Sequence, residues 1–83
     1  MKYLIKRNYK SIVKRGLIDE NTRFEQFISK LYEEVNELHH NVSDANLHEE
    51  LADVILVCLN IAEHYQIDIE KEMINKIKIN ENR

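Results

Sequence analysis

The sequence predicts an all-α protein, a compact four-helix bundle, from three observations. Glycine occurs once and proline is absent among 83 residues, so the turns and bulges of a β protein have almost no residues to form them. Apolar residues recur with helical spacing along most of the chain. Thr22, Asn46 and Asp68 stand just before three of these segments, where helix-capping residues are expected. At this length we expect a single domain over residues 1–83.

The first two helices are predicted in the first half of the chain. The first covers roughly residues 3–15, and Gly16 suits its C-terminal end. A loop over 17–21 follows. Thr22 and Glu25 then have the spacing of a capping box, which predicts that the second helix begins here and runs for about five turns. Its apolar positions are Phe24, Phe27, Ile28, Leu31, Val35, Leu38 and Val42.

The second half of the chain predicts two more helices. After a polar break at residues 41–46, Asn46 with Glu49 can cap the third helix, although Ser43 or Asp44 could begin it earlier. Residues 51–62 are apolar on nearly all sides, which predicts a central position or a subunit interface for this helix. Asp68 is the predicted cap of a fourth helix, whose apolar positions are Ile69, Met73, Ile74 and Ile77.

Composition excludes several classes of protein. The net charge of −3 argues against a general nucleic-acid binder, and no apolar run is long enough for a membrane span or a signal peptide. The single cysteine, Cys58, excludes an internal disulfide and is expected to be a small buried apolar residue. We therefore expect a cytoplasmic protein. Because so small a chain buries only about 60% of its unfolded surface, we also expect a homodimer or homotetramer.

Pairs of carboxylates mark the two middle helices. Glu34 and Glu37 are three residues apart, as are Glu50 and Asp53, so each pair projects from adjacent turns of one helix. If the two helices form an antiparallel hairpin, four carboxylates meet. They would repel one another without a divalent cation, and carboxylate ligands without cysteine suit Mg²⁺ or Mn²⁺. Solvated helix faces explain such spacing equally well, so the spacing by itself leaves both interpretations open.

Two acidic segments resemble those of a known family. Residues 33–38 (EEVNEL) and 49–54 (EELADV) resemble the paired Glu-x-x-Glu and Glu-x-x-Asp motifs of the MazG-like all-α nucleoside triphosphate pyrophosphohydrolases. Lys76, Asn80 and Arg83 are similar to the Lys-x-x-x-Asn-x-x-Arg ending of many members. The resemblance spans nearly the whole chain and implies a MazG-like helical bundle.

The resemblance also implies an enzyme. The expected reaction is Mg²⁺-dependent hydrolysis of an NTP or dNTP to the monophosphate and pyrophosphate by a metal-activated water. Glu33 or Glu49, or one of the metal ligands, is the expected general base. The implied metal ligands are Glu34, Glu37, Glu50 and Asp53. Candidate substrate-binding residues, by family match or by position beside the acidic pairs, are Lys30, Asn60, Lys76, Asn80 and Arg83.

The candidate substrate-binding residues have simpler interpretations, and so does the whole chain. Lys30 can be a solvent-facing lysine, Asn60 can bond a neighbouring helix, and the residues of the C-terminal tail can lie exposed. The alternative function is a non-catalytic helical module for oligomerisation or regulation, with or without nucleotide binding. The almost wholly apolar third helix favours this alternative.

Overall fold

The all-α prediction is confirmed. A computed structural model describes residues 1–40, 43 and 45–83, and these residues contain no strand. They form four helices: α1 (Lys2–Lys14), α2 (Phe24–His40), α3 (Leu47–His64) and α4 (Ile69–Glu81). Val42, predicted as part of the second helix, lies outside the described residues. In the described part of the chain, the helices are all too short or too polar to cross a membrane.

Helix α3 lies at the centre of the fold, as its apolar composition predicts. Both α1 and α2 pack against α3. The buried apolar side chains are Ile5 of α1, Phe27 of α2, and Val57 and Ala62 of α3. The core is therefore the seam where two helices cover two sides of a third.

The core is incomplete on the remaining side of α3 and along α4. None of the residues of α4, all of them described, is buried. On α3, Leu47, Leu51 and Ile55 lie one turn apart and are exposed. Cys58 is exposed as well, so the prediction that it is buried is wrong. The physical reason is that, among the described residues, the main contacts on α3 come from α1 and α2, which leaves part of an almost wholly apolar helix uncovered. The bundle thus consists of three packed helices, α1, α2 and α3, and a fourth helix, α4, that has no buried residue.

Two helices end in the same way. At the end of α1, Gly16 has φ 76°. The N–H groups of Gly16 and Leu17 donate to carbonyls of the last turn, at 2.9 and 3.2 Å. At the end of α3, Gln66 has φ 58°. Gln66 and Ile67 donate in the same pattern, at 3.2 and 2.8 Å. Both ends are left-handed caps of the Schellman type, one with the expected glycine and one without.

The cap predicted for α2 is displaced by one residue. The Thr22 hydroxyl accepts from the Asp19 N–H within the loop at 2.9 Å, so it is not available to the helix. Gln26 Oε1 instead accepts from the Arg23 N–H at 2.7 Å, and the helix begins at Phe24. The hydroxyl bonds within the loop because a second hydrogen bond, from the Thr22 N–H to the Asp19 carbonyl at 3.1 Å, holds the same two residues together.

Of the other two predicted caps, one is confirmed in full and one in position only. Asn46 occupies the N-cap position of α3, but its side chain makes no cap hydrogen bond to the helix, and its Oδ1 accepts from the preceding Ser43 N–H at 2.7 Å instead. The Asp68 carboxylate accepts from the Lys71 N–H at 3.2 Å and caps α4.

His64 joins three segments of the fold. Its Nδ1 lies 2.8 Å from the Tyr9 hydroxyl of α1, and its Nε2 lies 3.0 Å from the Thr22 carbonyl oxygen. Because a carbonyl can only accept, Nε2 carries the proton and Nδ1 accepts from Tyr9. Burial, with the charges of Glu63 and Asp19, raises the pKa of Tyr9, so its hydroxyl stays a donor. These bonds hold α1 and the α1–α2 loop against the end of α3.

Candidate metal centre and adjoining cavity

Three of the four predicted metal ligands come together between α2 and α3. Glu34 lies on α2, while Glu50 and Asp53 lie on adjacent turns of α3. Among the described residues, each of the three offers one carboxylate oxygen, and these oxygens all lie within 4.8 Å of one another. The packing of α2 against α3 brings them together, because a single helix can align only the two that it carries.

Two oxygens of this cluster are buried without a hydrogen-bond partner. Glu34 is 8% exposed, and its Oε1 lies 3.1 Å from Lys30 Nζ. Glu34 Oε2 and Glu50 Oε2 are both excluded from solvent and have no partner within the described residues. A buried charged oxygen without a donor is costly. A cation bound between the two oxygens would remove this cost.

The electrostatics of the cluster also indicate a shortage of positive charge. Burial raises the pKa of Glu50, and neighbouring negative charges raise it further. Those charges belong to Glu37, Asp53, Glu34 and Glu49. The pKa of Asp53 is raised first by burial and then by Glu34 and Glu49, while Lys30 lowers it. One lysine therefore only partly offsets the repulsion.

The donor set fits a hard divalent cation. All three residues supply carboxylate oxygens, which Mg²⁺ and Mn²⁺ prefer, and the cluster contains no cysteine or histidine of the kind that favours zinc. Ligand oxygens around Mg²⁺ stand about 2.0–2.1 Å from the ion and therefore about 3–4 Å apart. Small rotamer changes would bring oxygens that lie within 4.8 Å to that spacing.

The other predicted acidic residues surround this cluster. Glu37 is exposed on α2, and although its charge raises the pKa of Glu50, it is outside the group of three. Glu33 is exposed and pairs with Lys30 at 3.4 Å. Glu49 is exposed at the start of α3. Their predicted roles, as ligand for Glu37 and as general base for Glu33 or Glu49, stay predictions.

A cavity of about 450 Å³ adjoins the acidic cluster. Glu34, Asp53 and Lys30 form part of its wall, so the carboxylates and the cavity make one continuous site. Its volume is in the usual range for small-molecule sites. Its apolar lining comes from all three packed helices and the α1–α2 loop: Ile12, Leu17, Ile18, Phe27, Leu56 and Val57.

Asn60 fulfils both interpretations that the sequence left open. It lines the cavity, and its Oδ1 also accepts from Asn8 Nδ2 of α1 at 2.8 Å. Lys30 likewise does both, because its side chain is more than half exposed while it pairs with Glu34 at the cavity wall.

The three residues of the C-terminal tail lie away from this site. Lys76 and Asn80 are exposed on α4, Arg83 is exposed just after it, and none of the three lines the cavity. No residue of α4 is buried, and the main helix contacts in the described part of the chain join α1 and α2 to α3. Their role in substrate binding stays a prediction.

Sequence reasoning did not place four polar residues in the cavity wall, which are Asn8, Arg15, Thr22 and Gln26. A signal existed for Asn8, because it interrupts the apolar face that Ile5 and Ile12 form on α1. A polar residue inside an apolar stripe must find a partner in the fold, and Asn8 finds Asn60. Gln26 has no comparable signal, because it looks like an ordinary exposed residue near a helix start. Arg15 belongs to a basic run that could attract phosphates but that also fits the solvent-facing side of the first helix.

Comparison with known proteins supports an enzymatic interpretation of this site. No curated protein and no solved structure matches the chain at a significant level. The sequence model of one family, described as the MazG nucleotide pyrophosphohydrolase domain, matches residues 22–81. The match includes α2, α3 and α4, and therefore all three clustered carboxylates. Since the matched region covers well over half of the chain, the protein belongs to the MazG nucleotide pyrophosphohydrolase domain family.

Proposed function

We propose that the protein is a Mg²⁺-dependent nucleoside triphosphate pyrophosphohydrolase, which cleaves an NTP or dNTP to the monophosphate and pyrophosphate. The observation that carries this proposal is the pair of buried carboxylate oxygens without a partner, Glu34 Oε2 and Glu50 Oε2, in a cluster that borders a cavity. Family membership supplies the class of reaction. The chain is proposed to act as one domain over residues 1–83, in the cytoplasm.

Glu34, Glu50 and Asp53 would hold Mg²⁺, or Mn²⁺, and Glu37 is the fourth proposed ligand. A bound ion would neutralise part of the charge of the triphosphate and would lower the pKa of the attacking water. Without this charge compensation, an acidic cluster on a chain of net charge −3 would repel a polyanionic substrate.

The remaining steps belong to side chains of the chain itself. The water attacks the α-phosphorus, the bond between that phosphorus and the oxygen bridging to the β-phosphorus breaks, and pyrophosphate leaves. The proton of the water goes to Glu33 or Glu49, or to one of the clustered carboxylates. Lys30, whose hydrogen bond to Glu34 raises its pKa, stays cationic and is placed to attract the phosphates.

Substrate binding involves the cavity and, in this proposal, a second copy of the chain. Asn60 lines the cavity next to the carboxylates. Lys76, Asn80 and Arg83 are exposed on or just after α4, a helix with no buried residue. We propose that α4 packs in a homodimer or homotetramer, where these three residues would approach the substrate of one of the copies.

A turnover assay tests the function. The protein is incubated with each of the common NTPs and dNTPs and Mg²⁺ or Mn²⁺, and released pyrophosphate is measured. Asp53→Asn should lower kcat/KM by about 100-fold or more, because losing a metal ligand should cost at least as much as losing its supporting residues. It should also abolish the rise in Tm that Mg²⁺ gives the wild type.

The matched control is Asp68→Asn, which removes one charge but keeps a residue that caps helices well. It should leave both the turnover and the Mg²⁺ effect unchanged. A wild-type protein that is folded, yet releases no pyrophosphate at high enzyme concentration, would contradict the proposal.

The second candidate function is a non-catalytic helical module for oligomerisation or regulation. The exposed apolar residues of α3 and α4, including Leu51, Ile55 and Ile77, favour it. Such a module predicts no change in Tm on addition of Mg²⁺ or Mn²⁺, so the same thermal measurement separates the two functions.

A further inference from the structure

An amide pair lies in the wall of the cavity. Asn8 of α1 and Asn60 of α3 share a hydrogen bond of 2.8 Å, from Asn8 Nδ2 to Asn60 Oδ1. Both residues line the cavity, and Asn60 is only 8% exposed. A single bond uses one donor and one acceptor of the pair. Asn8 Oδ1 and Asn60 Nδ2 remain, and neither makes another hydrogen bond within the described residues.

These two remaining atoms differ in their exposure from the unpaired carboxylate oxygens of the acidic cluster. Neither of them is sealed from solvent, in contrast to the orphaned oxygens of Glu34 and Glu50. Water in the cavity can satisfy them, and a ligand that displaces this water must offer them a donor and an acceptor in its place. Both residues line the cavity, so the pair supplies one acceptor and one amide donor group in its wall, beside apolar residues such as Phe27 and Leu56.

The pair can also exchange its donor and acceptor. The terminal torsion of an asparagine is broad and nearly two-fold. If both amides turn together, Asn60 Nδ2 donates to Asn8 Oδ1, and the mutual hydrogen bond is kept. The remaining atoms are then Asn8 Nδ2 and Asn60 Oδ1, so donor and acceptor have changed places. Either arrangement presents one of each.

We propose that Asn8 and Asn60 recognise the nucleobase of the substrate, and that their joint rotation lets the cavity accept all of the common bases. Every common base carries a donor next to an acceptor on its pairing edge, in one order for adenine and cytosine and in the opposite order for guanine and thymine or uracil. The apolar residues of the cavity, such as Phe27 and Leu56, would cover the faces of the base. This inference rests on the proposed function, because it assigns a substrate group to the same site.

Replacing one amide by a carboxylate should convert this tolerance into a preference. In Asn60→Asp the carboxylate can only accept from Asn8 Nδ2, so the pair is locked with acceptors alone toward the cavity. Guanine is the one common base with two adjacent donors on its pairing edge. We expect kcat/KM for dGTP to rise roughly tenfold relative to dTTP, the size of discrimination that such a pair of bonds gives. Asn8→Asp should produce the same shift, because its carboxylate can only accept from Asn60 Nδ2 and the pair again has acceptors alone left for the base.

The readout is the ratio among bases, because an added negative charge weakens the binding of every triphosphate alike. The control is Asn75→Asp on the exposed surface of α4, which should leave the ratios unchanged. Dissociation constants for the same nucleotides are measured in parallel, and circular dichroism confirms that each variant is folded.

The outcomes distinguish base recognition by Asn8 and Asn60 from the proposed hydrolytic function. Similar ratios among bases in the wild type, together with a shift to guanine in both aspartate variants, support the proposal. A wild type that prefers one base by more than about 100-fold, or unchanged ratios in both folded variants, would overturn it. Binding ratios that shift without any turnover would leave the recognition role intact and contradict only the hydrolytic function. No nucleotide binding by the wild type would overturn both.

Discussion

At the scale of single residues, Glu34 shows how the site depends on its surroundings. One of its oxygens is bonded to Lys30 at 3.1 Å, while the other is buried without a partner. Lys30 is largely exposed, so this ion pair contributes little to stability. Its importance is electrostatic, because its charge lowers the pKa of Asp53 in a cluster where the pKa values of Glu50 and Asp53 are both raised.

The raised pKa of Glu50 predicts a pH dependence of stability for the metal-free protein. Its ordinary value is 4.5, and the folded protein holds the proton to a higher pH than the unfolded chain. Stability contributed by this group therefore falls as the pH rises from about 4.5 through the folded pKa. Glu50→Gln should raise the Tm of the metal-free protein at pH 7, and this gain should disappear near pH 4.

The same substitution should weaken the stabilisation by Mg²⁺ at pH 7, because it removes a ligand. Glu70→Gln on the exposed surface of α4 serves as the control and should change neither property. Thermal unfolding between pH 4 and pH 8, with and without Mg²⁺, measures both effects. A Glu50→Gln protein less stable than the wild type at pH 7 without metal would show that the carboxylate is favourably paired.

At the scale of helices, the two left-handed ends give a matched comparison. Gly16 and Gln66 both have positive φ, and both lie just after a helix that packs in the core. Nothing lies within 4 Å of the position that a Cβ would take at residue 16, so a substitution there is limited by backbone strain and not by crowding. Glutamine at residue 66 already carries this strain.

We predict opposite effects for substitutions at these two positions. Gly16→Ala should lower the free energy of unfolding by about 1 kcal/mol, because a Cβ is unfavourable in the left-handed region. Gln66→Gly should raise it by several tenths of a kcal/mol up to about 1 kcal/mol, after the entropy of the unfolded chain is taken into account. Urea denaturation measures both. Shifts of the same sign would show that side-chain contacts, and not φ, decide these positions.

At the scale of the whole molecule, one chain covers its own apolar surface only in part. Leu51 and Ile55 are 46% and 49% exposed on α3, and α4 has no buried residue. A chain of this size has a small core, so burying these faces against a second copy would add stability that the single chain lacks. The proposed homo-oligomer follows from this surface.

Leu51→Glu should therefore reduce the oligomer to monomers, because a charge buried in an apolar interface costs several kcal/mol unless it is paired. Sedimentation velocity at micromolar concentration measures the change in mass. Tyr3→Glu changes an exposed aromatic residue on α1 in the same way and should leave the mass unchanged. A monomeric wild type, or an unchanged mass for Leu51→Glu, would contradict the proposed interface.

Much of the fold could be predicted because it depends on local patterns. Helical spacing and capping residues predicted the four helices, and Asp68 caps α4 as expected. Where two local interactions compete, the pattern was insufficient, as for Thr22, whose hydroxyl bonds Asp19 and not the helix. The burial of Cys58 was predicted wrongly, because helical spacing does not say how many neighbours a helix will have.

The sequence by itself determined which residues carry charge and on which turn of which helix, and so it identified Glu34, Glu50 and Asp53 as partners. The tertiary structure decided how close they come, which of their oxygens lose water, and that Glu37 stays exposed. It also decided that Asn8 meets Asn60 across more than 50 residues of chain. The reason is that spacing along a helix is a local property, whereas desolvation and contacts between helices exist only once the helices have packed.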